Sequence, residues 1–389
     1  MSAHNPTTLR DWLERNRWVW SALGVLTLWA VLSVATGRFS LHSLSGVAVS
    51  ASFLTVVALG QMLVVTTGRG NIDLSIASVL TLSAYASIIV TAGQDARLPL
   101  ALAAVLGIGA VTGAVNALLV VVFRIPAIIA TLATGYVLAT GTLIANRFAA
   151  GFTVSPLLKL VAAGRIGGFP VMLLVALAAV AAMGLLLQRS VYGRQLSAVG
   201  QNERAAALAG IRTGRVVASA FLASSCLAAL TGTLLGAYVG GAFLEMGTPY
   251  LLQSLGAVVL GGSLIFGGAS TALGTLFGAL LLVLIVTTMQ IAGLPAGTQD
   301  IVQGFVVIAV LALAGGRAVR RRKGAAAPPR PMPPGYRVLA CGRCGHSVCW
   351  RWRRQGCAAA GMAPSIRDNG SYNQTQSDRR DGQSRRYAR

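Results

Sequence analysis

The sequence predicts an all-α, polytopic membrane protein of about ten transmembrane helices with both termini on the cytoplasmic side. Three observations lead there. Hydrophobic residues make up 55% of the 389 and charged residues only 11%, against about 25% charge in a soluble domain. The apolar residues gather into runs near twenty long, the length at which a helix crosses a bilayer with its backbone bonds satisfied internally. Basic residues avoid these runs and favour alternate connections between them.

The runs cover approximately 17–36, 44–67, 72–92, 99–123, 125–146, 168–188, 213–240, 250–267, 271–292 and 297–315. The first is preceded by a polar segment holding Asp11 and Glu14 and has a long apolar core, which fits an uncleaved anchor better than a signal peptide. The eighth is glycine-rich and also fits a re-entrant segment. Glycines recur at four-residue spacing in Gly109 with Gly113, Gly232 with Gly236 and Gly240, and Gly274 with Gly278. Such faces let helices approach closely in lipid. With the N-terminus inside, the inner connections carry Arg10, Arg15, Arg17, Arg69, Arg124, Arg189, Arg194, Arg204, Arg212, Arg215 and five more basic residues between Arg317 and Lys323. The outer ones carry only Arg38, Arg97, Arg147, Lys159 and Arg165, as the positive-inside rule requires.

Residues 1–16 then form a cytoplasmic N-terminal segment, 17–315 the membrane domain and 316–389 a basic tail expected to be disordered beside anionic lipid. The tail holds 17 of the 32 Lys and Arg, so the net charge of +22 is a property of the tail and short loops. That distribution argues against a nucleic-acid surface. Cys341-Gly-Arg-Cys344-Gly-His346 contains a pair of the kind zinc sites use, but no second ligand pair at zinc-finger spacing follows. No metal site is expected, and the abrupt change to an Arg/Gly/Cys/Trp-rich composition also fits a shifted reading frame. The five cysteines imply no disulfide framework.

Two stretches resemble each other: Val65 to Ser75 and Val259 to Ser270 each end an apolar run in glycines, pass through small polar residues and start a new run. Paired helix breaks of this sort point to a transport pathway. Asp73 lies in the first and is read as the only acidic residue inside an apolar run rather than at a predicted end, where Asp300 falls. Intramembrane charge is costly enough to make it a functional candidate, either capping the helix that starts near Leu74 or lining a path, with Arg69 as a possible ion-pair partner.

The longest polar interruption runs from Gln188 to Arg215. Within it Asn202 is a good N-cap, Glu203 suits the positive helix end, the alanines favour helix, and Gly210 is a natural C′ residue. Two turns of helix need a partner to be stable.

This loop resembles the cytoplasmic coupling loop of ABC-importer permeases of the ribose, xylose and galactose type, through Gly193-Arg194, Gly200-Gln201-Asn202, Ala205-Ala206 and Gly210-Ile211. Gly70-Asn-Ile-Asp-Leu-Ser-Ile-Ala-Ser78 is similar to a motif of the same sugar permeases, with Asn71 and Ala77 standing where that motif has glycine. Asn116-Ala-Leu-Leu119, Ile125 to Leu132 and Ala257 to Ser263 follow in the family's order, so the resemblance spans about 45–315. It implies an inner-membrane permease subunit whose loop, carried by Gly193, Arg194, Gly200, Asn202, Glu203, Ala205, Ala206 and Gly210, docks in a groove of a separate ATPase subunit. It further implies an extracytoplasmic solute-binding protein and a second permease copy, identical or paralogous. For a neutral solute, Asn71, Asp73, Ser75, Asn116, Thr131 and Asn146 are the candidate path or gate residues.

A phosphate-binding loop needs Gly-Lys-Ser/Thr, and the two lysines are followed by Leu160 and Gly324. ATP hydrolysis is therefore expected in another chain; this one is expected to be no enzyme, with no catalytic residues and no cofactor bound directly. Two alternatives stay open: an ion-coupled secondary transporter, or the same permease architecture carrying an amino acid, an autoinducer or a nucleoside.

Overall fold

Lipid offers the backbone no hydrogen-bond partner, so apolar runs must close their bonds within a helix, and breaks appear only where polar side chains or packed backbone can take over. The computed structural model describes residues 18–36, 41–149, 153–264, 266–295, 297–306, 308–309, 336–340 and 347–351. The N-terminal segment 1–16 and most of the tail lie outside the described residues.

The helices are α1 (Trp18–Thr36), α2 (Leu41–Thr66), α3 (Ile76–Thr91), α4 (Leu98–Ala117), α5 (Ala127–Phe148), α6 (Pro156–Ala163), α7 (Val171–Arg189), α8 (Val191–Gln201), α9 (Glu203–Leu208), α10 (Thr213–Val239), α11 (Thr248–Leu260) and α12 (Ala272–Ile291). A further helix, α13, covers 297–306. A π-helical turn, Leu118–Val122, extends α4, and a short hairpin of β1 (Arg165–Ile166) and β2 (Phe169–Pro170) precedes α7.

Six of the described helices are long and apolar enough to cross a membrane: those within Ser45–Thr66, Asp95–Val122, Ala127–Phe148, Val171–Arg189, Thr213–Val239 and Ala272–Ile291. Three shorter apolar helices lie at Trp18–Val34, Ile76–Thr91 and Thr248–Leu260. The chain is thus a polytopic helical membrane protein. Two expected spans are shorter than the sequence suggested. The run 72–92 starts its helix only at Ile76, and the run 250–267 ends its helix at Leu260, because glycine-rich turns occupy the remainder.

Helix α2 is the buried centre. Leu54, Leu59 and Met62 pack against Ala257 and Val258 of α11 and Ala279 and Leu282 of α12. Phe53 and Val57 on its other side meet Ile76 and Leu80 of α3 and Ala228 and Ala229 of α10. By contrast α5 and α7 turn Tyr136, Val137, Ile144, Leu174, Leu177 and Leu185 outward.

The spaced glycines are contact points between helices. A Cβ on Gly109 or Gly113 of α4 would strike the α10 backbone at Ser225–Cys226 or Phe221–Leu222. One on Gly232 would strike the Leu80 carbonyl of α3, and ones on Gly274 and Gly278 the carbonyls of Gly261 and Ala257. Gly240 instead ends α10 with φ of 83°.

Connections gather at two ends. At one end the Asp95 carboxylate accepts from the Leu157 N–H at 3.0 Å and from the Ser155 hydroxyl, holding α6 beneath the α3–α4 link. The other end holds α8, α9 and both helix breaks. Residues 323–389 form a separate unit, in which β3 (Tyr336–Ala340) pairs antiparallel with β4 (Ser347–Arg351) and sets Val338 opposite Cys349. Cys341, Cys344, His346 and Cys357 lie outside the described residues.

Candidate functional site

The first break begins where α2 stops at Thr66. Gly68, Arg69 and Gly70 take φ values of 78°, 59° and 76°, a left-handed run that glycine accepts freely and arginine does not. Asn71 is not in that region; its side-chain amide donates to the Thr67 hydroxyl at 2.9 Å. The glycine missing from the motif at this position is therefore not needed for backbone freedom.

Asp73 sits in the extended stretch before α3 and is 2% exposed. Its Oδ1 accepts from the Ser75 N–H at 3.0 Å and the Ser75 hydroxyl at 2.6 Å, and its Oδ2 accepts from the Ser224 hydroxyl of α10 at 2.9 Å. The Asp73 N–H donates to Gln61 Oε1 of α2 at 3.3 Å. Asn116 of α4 donates to the Ser75 hydroxyl at 2.9 Å. Thr131 of α5 accepts from the Leu74 N–H at 3.0 Å. Five of the six sequence candidates for the path, Asn71, Asp73, Ser75, Asn116 and Thr131, are thus gathered at one break and buried. The sixth is elsewhere: Asn146 is exposed on α5 and accepts from the Tyr85 hydroxyl at 2.8 Å. Gln61 and Ser224 belong to the network and escaped the sequence reading; each is a polar residue inside a long apolar run, which is the signal they offered.

The expected pairing of Arg69 with Asp73 does not occur. Arg69 bonds Glu203 of α9 at 2.6 Å, because the left-handed turn carries its side chain out of the fold while Asp73 points into it.

The polar loop folds as two short helices. Ser190 caps α8, its hydroxyl accepting from the Gly193 N–H at 3.0 Å. Asn202 caps α9, accepting from the Ala205 N–H at 3.1 Å. At the far end Gly210 has φ of 82°, and Ile211 and Gly210 donate to the carbonyls of Ala206 and Ala207 at 3.0 Å each. This is a Schellman closure. Arg194, Arg204, Ala205, Ala207 and Leu208 face outward, with Leu208 91% exposed.

Gly200 and Ala206 face the other way. Ala206 is buried with Leu196, Val199, Val217 and Phe221. A Cβ on Gly200 would collide with the Thr66 carbonyl and the Gly268 backbone. These two residues seat the loop within its own subunit, so bulky replacements there disturb the fold before any docking surface.

The second break follows α11. Gly262, Gly267 and Gly268 have φ of 85°, 87° and 87°, and Leu264 donates to the Ala269 carbonyl at 3.0 Å. The two look-alike stretches then meet: the Gly268 N–H donates to the Thr66 carbonyl at 3.0 Å, and the Thr66 and Ser270 hydroxyls are bonded. Gln201 of α8 reaches the Gly268 carbonyl at 3.5 Å. One end of the molecule thus joins both breaks and the polar loop through backbone contact.

Residues 43–311 match the sequence pattern of the family described as "Branched-chain amino acid transport system / permease component". Among curated proteins, the autoinducer 2 import system permease protein LsrC of Yersinia enterocolitica is 31% identical over 354 residues, covering 84% of this chain and 92% of the relative. The protein of the same name from Enterobacter sp. is 34% identical, with 78% of this chain and 88% of the relative covered. That from Klebsiella pneumoniae is 36% identical, with the same coverage. No solved structure matches.

Proposed function

The chain belongs to the branched-chain amino acid transport system / permease component family, and from that membership we propose that it passes a small, sugar-like, hydroxyl-rich solute into the cytoplasm. It is the permease component of an ABC importer and a multi-pass protein of the cytoplasmic membrane, so the ATP-driven reading replaces the ion-coupled one. The proposal adds its working parts: ten crossings with both termini inside, a second permease copy, and a separate ATPase subunit that receives α9. An extracytoplasmic binding protein delivers the solute, lipid surrounds α7, and this chain itself binds no cofactor.

The observation that carries the reading is the seat of Gly200 against Thr66 and Gly268. A load applied to α8 and α9 by a closing ATPase reaches both helix breaks at once, and breaks of this kind are where transporters admit solute. The buried network of Asp73, Ser75, Asn116 and Thr131 braces the first break while it moves, with Asn71 pinning its start. Arg194, Glu203, Ala205 and Leu208 supply the outer docking face, and Gly193, Asn202 and Gly210 shape it. The relatives named as autoinducer 2 import permeases favour a second cargo of the same size class.

The test is uptake into sealed vesicles holding the permease, its ATPase and its binding protein. Labelled D-ribose, D-xylose, D-galactose and autoinducer-2 are offered with and without ATP. Accumulation of at least one, requiring ATP and indifferent to ion gradients, is expected. Uptake driven by a gradient without ATP would reject the proposal.

A further inference from the structure

A cavity of about 280 Å³ opens between α3, α5 and the link joining α10 to α11. Its wall includes Ser78, Thr81, Ala139, Thr142, Glu245 and Thr248. Four hydroxyls and one carboxylate converge here, in a chain where charge inside the membrane domain is scarce. The volume is just below the range of about 300–1,000 Å³ for small-ligand sites, and corresponds to roughly nine waters.

The site is built. Beyond Gly240 the chain turns back, and the Gly247 N–H donates to the Thr81 hydroxyl at 3.0 Å. A Cβ on Gly247 would strike the Ala77 carbonyl, so the link lies directly on the first turn of α3. Helix α11 consequently starts beside the start of α3, and both first turns border the cavity. Ala139 and Thr142 stand 12 and 15 residues along α5 from Ala127, about 18 to 22 Å from its coupling-loop end at 1.5 Å per residue. The cavity is therefore within the bilayer's thickness, beyond the Asp73 network on the side away from α9.

Its polar groups are in different states. Thr81 and Thr142 already donate to the carbonyls of Ala77 and Leu138 at 2.9 and 3.0 Å. Among the described residues, Glu245 has no ion-pair partner, and the side chains of Ser78, Glu245 and Thr248 have no hydrogen-bond partner. The free set thus combines an acceptor-only carboxylate with hydroxyls that donate and accept. Two helix N-termini, each worth a fraction of a positive charge, offset the carboxylate. A neutral solute carrying several hydroxyls satisfies this set; an anion is repelled by Glu245.

We propose that this cavity holds the solute in transit and that the solute class is a neutral polyol or monosaccharide, hydrogen-bonded by Glu245, Ser78, Thr142 and Thr248. The inference rests on the transport reading above and adds the place and the contacts. Half-helix ends meeting at depth are the setting in which transporters hold their cargo.

The test uses the full complex in vesicles and whichever of the four labelled probes the unaltered complex accumulates. Glu245→Gln keeps the shape and removes the strong acceptor, Thr142→Val removes a buried hydroxyl, and Ala139→Trp fills the space. Leu185→Trp, outward on α7, is the control. All four should insert and copurify with the ATPase subunit. Uptake at saturating loaded binding protein should fall about tenfold in Glu245→Gln and several-fold in Thr142→Val. It should vanish in Ala139→Trp and stay within about twofold in Leu185→Trp. Unchanged uptake in Glu245→Gln and Ala139→Trp would overturn the cavity assignment and leave the transport reading standing. Failure of the unaltered complex to accumulate any probe would overturn both.

Discussion

The Asp73 carboxyl accepts from three donors, two from Ser75 and one from Ser224, and among the described residues has no ion-pair partner. Each donor carries a share of the cost of keeping a carboxylate out of water. Ser224→Ala leaves Oδ2 without a partner and should destabilise the protein by about 1–3 kcal/mol. Asn116→Ala removes a neutral interhelical bond, typically about 0.6 and at most about 1.7 kcal/mol in membranes. The Arg69–Glu203 pair has side chains 71% and 31% exposed, so Arg69→Ala should cost only about 0.2–1 kcal/mol. Thermal unfolding of detergent-purified protein should rank the three in that order. An Arg69→Ala loss larger than that of Ser224→Ala would contradict the buried network as the stronger brace.

Among the elements, the glycine contacts give predictions of opposite sign. Gly232→Ala places a methyl on the Leu80 carbonyl and should separate α10 from α3, lowering stability and yield. Gly107→Ala, on α4 where a Cβ meets open space, should be neutral or raise stability by up to about 1 kcal/mol through helix propensity. Parallel thermal scans of the two variants decide it. The order of the apolar helices and the caps at Asn202 and Gly210 were legible because they depend on neighbours in sequence. Helix α8 was not, since Ser190 and Gly193 set it by a local bond hidden in a polar stretch. The glycine break in Val259 to Ser270 was legible, but not the stop of α11 at Leu260 within the run 250–267, because it is contact of Gly261 with Gly274 and of Gly268 with Thr66 that fixes where the helix gives way. Likewise Arg69 and Asp73 are four apart, a spacing that pairs side chains on a helix, but the intervening left-handed turn sends them in opposite directions. Glu245 gave no signal in the sequence, because nothing local reveals that its link folds back onto α3.

At the scale of the molecule, the breaks and α9 share one end while Asp95, α6 and the β1–β2 hairpin share the other. With the proposed orientation, Leu208→Cys should react with a membrane-impermeant maleimide only in inverted vesicles. Lys159→Cys should react only in intact cells or right-side-out vesicles, the native cysteines having been replaced by serine. The reverse pattern would invert the topology and remove α9 from the reach of a cytoplasmic ATPase. At the junction of Gly200, Thr66, Gly68 and Gly268, main chain rests on main chain with no side chain between. Side chains can change rotamer and absorb a displacement of an ångström or more; abutting peptide groups cannot. The joint therefore has almost no play, and a push on the short helices emerges at both breaks with little lost on the way. Slack in this machine must be sought elsewhere, and Gly240 and Gly241, where an added Cβ would meet open space at the opposite end, are where the chain has room to give.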